Sequence, residues 1–375
     1  MKKTLIPEYN QPTLIYPLKI MCWTLSLTLI LSWSFWVGER SYPKMSLLFG
    51  SNNTLEFLAA VVFIGSLLLL SIAPTRIVFL LSSILALTIL TGSDINRVQL
   101  YVWTSMALIT IAAFSLRSPN HRRLKSLLIL ALAASYFWLG LNKFNPTFDR
   151  VILPWFLSGI IGKTITLPAF LGYGAVLFES GCGILLLSRK TRIYGAIGLI
   201  GMHLFILLCI GPLGLSINKA VWPWNIGMSA FLAWIALSRE SRTLQLRKHL
   251  TLPSTALVII IFGLLPAFNW LSLWPDPFSF LAYSGSGHQF YLELVETDLA
   301  KLPTLCQQIY KQDGKLNLYS WINKETEGGP FSTEWVAKRT YKDICEKFQT
   351  SDSSNLVILD RRGHESKIVC SKIDK

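Results

Sequence analysis

The chain has 375 residues, 52% of them hydrophobic and only 15% charged, against about a quarter charged in a soluble domain; its mean hydropathy is +0.46. The formal net charge of +14 is uneven: residues 1–275 hold 22 Lys and Arg against 7 Asp and Glu, whereas residues 276–375 hold 13 against 14. The excess lies in short connections between apolar runs, where it sets membrane orientation, and this placement argues against a nucleic-acid partner.

From the N-terminus, the apolar runs predict spans at about 18–37, 56–73, 77–92, 98–115, 124–142, 169–187, 193–211, 222–237 and 253–272. Most are long enough to cross about 30 Å of hydrocarbon; the third is short and the eighth carries polar residues. The first is too long for a signal-peptide h-region and no small-residue cleavage site follows it, so it reads as a span. Between the fifth and sixth, residues 143–168 are amphipathic and broken by Pro146, Pro154 and Pro168. That pattern predicts a segment at about 146–165 lying in the interface, with Trp155 and Phe156 at headgroup depth. With the N-terminus inside, fourteen Lys and Arg, among them Lys2 and Lys3, fall in inside segments and seven in outside loops. This bias predicts an inner (cytoplasmic) membrane protein with a cytoplasmic N-terminus and an extracytoplasmic tail.

The tail, residues 285–375, changes character. Residues 288–296 alternate like a strand, Asp298 is a candidate cap for a helix through Tyr310, residues 333–348 read as a helix, and residues 355–372 read as a hairpin around Arg361, Arg362, Gly363 and His364. The expected fold class is therefore an all-α polytopic membrane bundle of about nine transmembrane helices, residues 1–275, followed by a small α+β extramembrane domain. Cys22, Cys182 and Cys209 lie in apolar runs, where they act as small apolar side chains. If the tail is outside, two of Cys306, Cys345 and Cys370 can pair, and the sequence does not say which. No CxxC pair is present, so no metal site is expected.

Ionisable residues within spans are costly and are functional candidates by default. Glu179 and His203 stand about eight and ten residues from the inner ends of spans six and seven, roughly 12 and 15 Å deep at 1.5 Å per residue. A Glu179–His203 contact is expected from that common depth, either as a proton-handling or head-group-binding pair or as a satisfied polar pair holding two helices together. A polar layer collects near the outer surface: Asp94, Asn96, Arg97 and Gln99; then Asn142, Lys143 and Asn145; then Asn218, Lys219, Trp222, Trp224 and Asn225. It predicts a polar-lined cavity open to the outer leaflet, although the tryptophans, like Tyr136, are equally explained as interfacial anchors. Lys143, at the end of span five, either snorkels to water or turns into the bundle, where its neutral amine can act as a base. Gly181 and Gly183 in span six and Gly195, Gly198 and Gly201 in span seven read as close-packing positions.

The stretch from Tyr136 to Asn145, YFWLGLNKFN, resembles the aromatic–Gly–x–x–Lys segment of the HTTM family, whose membrane domain is shared with vitamin K-dependent gamma-carboxylases. Glu179, Met202-His203, the Trp222-Pro-Trp-Asn225 start of span eight and the Asp94–Gln99 turn fall in similar order, so the likeness covers about residues 18–272. A related pattern occurs in DoxX and MauE-type membrane proteins. The resemblance implies a quinone-linked membrane oxidoreductase or carboxylase-like lyase: Lys143 deprotonates a reduced quinone or binds another lipid head group, and Asp94, Arg97, His203 and Asn225 position groups or relay protons, with Asn142, Glu179 and Trp222 beside them. The carboxylases carry adjacent lysines where this chain has Asn142-Lys143, and a tail of about ninety residues stands where they have a large lumenal domain, so peptide carboxylation is not expected. The alternative is a non-catalytic membrane scaffold whose tail binds an exported protein partner. A transporter is less favoured, since no inverted repeat is evident.

Overall fold

In the computed structural model, residues 12–48, 50, 52–118, 121–163, 165–250, 253–361 and 363–373 are described; Lys2, Lys3 and Arg362 lie outside them. The chain is mostly helical with one small sheet. Helices form at all nine places that the apolar runs indicate: α1 Pro12–Leu31, α2 Asn53–Ile72, α3 Ile77–Ser93, α4 Leu100–Ser115, α5 His121–Leu141, then, after the short α6 Leu153–Ile161, α7 Ala169–Leu185, α8 Arg192–Ile210, α9 Val221–Leu237 and the composite α10 Ser254–Leu271. Among the described residues four helical stretches are long and apolar enough to cross a membrane: Asn53–Ile72, Arg122–Leu141, Arg192–Ile210 and Ser254–Leu271. The other five apolar stretches, Ile15–Leu31, Ile77–Ser93, Leu100–Ser115, Phe170–Leu185 and Val221–Leu237, are shorter.

Local chemistry sets several of the boundaries. Asn52 caps α2, its side chain accepting from the Thr54 and Leu55 N–H groups, which satisfies two of the donors a helix start leaves free. Gly162, at φ +77°, ends α6 in the left-handed conformation that a residue without Cβ adopts freely. In α10, Pro266 has no N–H to give, and residues Ile259–Leu264 widen into a π-turn. The Gly263 carbonyl in that turn accepts from Trp138 Nε1 at 2.9 Å. In the connection after α5 a π-turn at Phe148–Ile152 leads into α6, which packs on α8. Phe156 is buried there against Tyr283, ring centroids 4.9 Å apart.

Helix α1 is central, touching α2, α4 and α9. Many large apolar side chains, such as Leu85, Leu177 and Ile226, are exposed on outward helix faces, while Glu56, Asp94, Arg97 and His203 are buried within.

The tail is an α+β unit. Its sheet has the order β2-β1-β3-β4, all neighbours antiparallel, from β1 Gln289–Glu293, β2 Leu316–Asn317, β3 Asn355–Leu359 and β4 Glu365–Val369. Phe290 pairs with Ile358 and Leu292 with Leu356, so one buried face meets α11 Thr304–Asp313, α12 Leu318–Thr326 and α13 Glu334–Phe348. The alternation of residues 288–296 and the 355–372 hairpin were readable; β2 and α12 were not. The Asp298 cap is a correction. Pro303 interrupts the segment, α11 starts only at Thr304, and the Asp298 carboxylate instead accepts from Ser351 N (2.8 Å), Ser351 Oγ (2.7 Å) and Ser354 Oγ (2.8 Å), with Lys301 Nζ at 2.9 Å. Burial raises its carboxyl, but these four donors outweigh that and hold it well below the usual range. Cys345 and Cys370 form a disulfide, and Cys306 is a buried free thiol.

The tail covers one end of the bundle through polar seams. Asn96 Oδ1 accepts from Phe331 N at 2.9 Å, and Gln99 Nε2 donates to Gly329 O at 2.9 Å. The Glu325 carboxylate accepts from Ser41 Oγ and Tyr42 N, and Trp103 Nε1 donates at 2.8 Å to Pro277 O in the segment that leads into the tail.

Candidate functional site

The site is organised by how closely α5 and α7 approach. A Cβ on Gly140 would meet Ser180 N at 2.5 Å, and one on Gly183 would meet Ala133 O and Phe137 N at 2.9 Å. Backbones this close exclude side chains between them, and Ser180 Oγ adds a hydrogen bond to Phe137 O at 3.0 Å. The small-residue expectation holds for Gly183, Gly195 and Gly198; a Cβ on Gly181 or Gly201 would meet nothing within 4 Å, and Gly201 lines a cavity instead.

Lys143 lies two residues past the end of α5, and this packing turns it inward. Its ammonium is in direct contact with the Glu179 carboxylate of α7, the two side chains only 11% and 5% exposed. It does not snorkel. The pair stands in the wall of a cavity of about 320 Å³ bounded by α6, α7, α8 and Tyr283. Apart from this pair its lining is apolar or aromatic, including Phe148, Phe156, Met202 and Phe205. Phe178 and Phe205, 50% and 36% exposed, carry that lining to the outer face of the bundle.

The expected Glu179–His203 contact is not formed as a hydrogen bond or ion pair. His203 is fully buried beside the chamber, its Nε2 2.7 Å from the Tyr136 hydroxyl and its Nδ1 2.7 Å from Asn225 Oδ1. Asn225 Nδ2 already donates to Val221 O at 2.8 Å. Its Oδ1 is therefore the acceptor, His203 carries its proton on Nδ1, and Nε2 accepts from Tyr136. A count from the helix ends gives Glu179 and His203 a similar position along their helices, but not which way each helix face turns. Tyr136, read as an interfacial anchor, is a buried partner of the histidine.

Asp94 and Arg97 belong to a different cluster. Asp94 pairs with Arg40 and accepts from Met45 N (3.1 Å) and Asn96 Nδ2 (2.9 Å). Arg97 donates to Glu56 (2.7 Å), Leu90 O (3.0 Å) and Phe35 O (3.3 Å), and Glu56 also pairs with Lys44 at 2.7 Å. This network fixes the α1–α2 connection and the turn before α4 beneath the tail. Asn142 donates to Ser279 O (2.7 Å) and Phe280 O (3.2 Å) and accepts from Trp270 Nε1 (3.1 Å). Trp222 Nε1 bridges Ile210 O and Ile217 O across the α8–α9 connection. Of the residues singled out in the sequence, then, Lys143 and Glu179 meet in the chamber wall, His203 and Asn225 adjoin it, and Asp94, Arg97, Asn142 and Trp222 hold the scaffold. Glu56 went unnoticed, though a lone carboxylate at the start of an apolar run is itself a signal; Tyr283, in a loop, carries none.

Among the described residues no group of three or more His, Cys, Asp or Glu is arranged to hold a metal ion. No protein-family model, curated protein or solved structure matches this chain.

Proposed function

We propose that the chain is a nine-span cytoplasmic-membrane protein, HTTM-like in its bundle, that takes an amphiphile from the bilayer (a quinone or another lipid head group) into the Lys143 chamber. The observation carrying this reading is an ion pair set as the only charged feature of an otherwise apolar cavity that reaches the lipid-facing side of the bundle. An apolar tail is accommodated by the Phe178 and Phe205 side, and a polar ring or head group by the pair. A proton passed from Lys143 to Glu179 leaves a neutral amine facing the ligand, able to abstract a proton from a quinol hydroxyl. The Tyr136–His203–Asn225 chain orients the adjoining wall. The spanning assignment draws support from the four long and five shorter apolar helices and from apolar side chains exposed on outward faces. The external tail is favoured by the charge bias and by the Cys345–Cys370 disulfide, which suits an oxidising compartment.

The test is mass spectrometry of lipids and quinones that co-purify in mild detergent, with Lys143→Arg as the companion variant. Arginine keeps the charge but cannot give up its proton. Enrichment of a quinone or lipid in parent protein, with loss of function in Lys143→Arg, is expected. Recovery of no ligand, together with unaffected function in Lys143→Arg, would favour the scaffold alternative. That alternative draws on Asp94 and Arg97, whose charges are taken up by structural partners.

A further inference from the structure

Tyr283 lines two cavities at once. One is the Lys143 chamber; the other, about 530 Å³, lies between the bundle and the tail. The larger space is in turn adjacent to a third, about 420 Å³, beside Trp335 and Lys338, and Asp276 and His288 line both of these. The three form a series from the tail's surface to the membrane-facing chamber, with Tyr283 as its inner partition.

The partition is a built feature. Tyr283 has φ +52°, a left-handed backbone that a bulky residue rarely adopts. Its ring is held by Phe156 and its hydroxyl accepts from Asn218 Nδ2 at 2.6 Å; Asn218 itself has φ +51°. A single side-chain hydrogen bond thus latches the boundary between the two spaces.

The middle cavity has its own chemistry. Aromatic faces come from Trp155, Tyr319 and Phe290, and hydrogen-bonding groups from Gln99, Tyr101 and Asn317. The Tyr101 hydroxyl is buried and has no hydrogen-bond partner among the described residues. The one carboxylate in the lining, Asp276, is already met by His288 N at 3.0 Å, Asn269 Nδ2 at 2.8 Å and the His288 ring at 3.5 Å, and it raises the His288 imidazole above its ordinary value. The Arg361 guanidinium, bonded to Ser286, lies within electrostatic reach of Asp276 and balances its charge, so little net charge is left to offset the desolvation of an ionic ligand.

We propose that this middle cavity is a second binding site, for an uncharged, hydrogen-bonding co-substrate with a flat or apolar face, and that it communicates with the Lys143 chamber when the Asn218–Tyr283 latch opens. The inference rests on the chamber being a ligand site. It makes the site one with two entrances: the amphiphile arrives from the bilayer and its uncharged partner from beneath the tail.

The experiment uses full-length protein in lipid nanodiscs, with single cysteines placed by Met202→Cys in the chamber, Ala282→Cys in the middle cavity and Ser353→Cys on the exposed tail surface. Peptide mass spectrometry follows labelling by N-ethylmaleimide, which is neutral, and by a sulfonated maleimide. Relative to Ser353→Cys, Ala282→Cys is expected to favour the neutral reagent. Adding Asn218→Ala is expected to speed neutral labelling of Met202→Cys by about fivefold, the population change expected from one lost hydrogen bond, and Tyr283→Ala, which also removes the partition ring, by at least as much, with Ser353→Cys unchanged. Equal access of both reagents to Ala282→Cys would overturn the site's neutrality, and an unchanged rate at Met202→Cys would overturn the communication. A bilayer-partitioning maleimide separates the two levels. If it reaches Met202→Cys while the latch variants do nothing, only the link falls; if it never reaches that position, the chamber reading falls as well.

Discussion

Replacing Glu179 by Gln keeps the shape of the side chain but leaves the Lys143 ammonium without its counter-charge in a wall that is otherwise apolar. The two side chains are 11% and 5% exposed, so water does little to screen the loss. For unit charges about 4 Å apart at an effective dielectric of 20 the attraction is about 4 kcal/mol, and breaking one side of a buried pair costs about 3–5 kcal/mol. At roughly 2 °C or more per kcal/mol, the apparent Tm of detergent-purified protein is expected to fall by ~5–10 °C. Removing both charges in Lys143→Met/Glu179→Gln is expected to recover most of that loss, because a buried pair is replaced by neutral groups at little net cost. The assay is thermal unfolding of parent, both single variants and the double variant, read as a double-mutant cycle. A Glu179→Gln protein as stable as the parent, or a double variant worse than the two singles combined, would refute the placement of this pair.

In the tail, the Asp298 carboxyl is held below its unfolded value of about 3.9. Its contribution is therefore complete above about pH 4 and is lost as the pH falls towards the folded value; Asp298→Asn is expected to flatten that part of the tail's unfolding profile against pH. Gly140→Ala places a methyl 2.5 Å from Ser180 N, and the overpacking should cost about 1–3 kcal/mol and reduce ligand recovery by shifting Lys143 from Glu179. Cys345→Ser opens a crosslink spanning 25 residues and should cost the tail roughly 3 kcal/mol, seen as faster proteolysis near α13 that reductant reproduces in the parent.

The helices were legible because apolar length is a property of sequence alone, and each of the nine runs is a helix. The tail's first strand was legible from alternation, and the β3–β4 hairpin from the Gly363 turn. What escaped was azimuth. Residues on neighbouring helices share a depth that can be counted, but a rotation of about 100° per residue decides whether Glu179 meets His203 or Lys143, and packing at Gly140 and Gly183 sets that rotation. The Asp94–Gln99 turn shows a second limit: its polarity was plain, but its partners Arg40, Glu56, Gly329 and Phe331 lie far away in the chain, so a structural network looked like a binding layer. Asp298 failed for a simpler reason, since Pro303 intervenes before the helix it was expected to start.

The seams beneath the tail join positions 230 and 235 residues apart, Gln99 to Gly329 and Asn96 to Phe331. During synthesis the early turn is thus made long before the strand of chain that satisfies it. A polypeptide that stops short of residue 329 still contains every bundle helix, yet leaves Asn96 Oδ1 without its Phe331 donor, Gln99 Nε2 with the Asn96 carbonyl alone, and the space between bundle and tail unroofed. An unfinished copy therefore differs from a finished one by side-chain amides that each lack one partner at that end of the bundle.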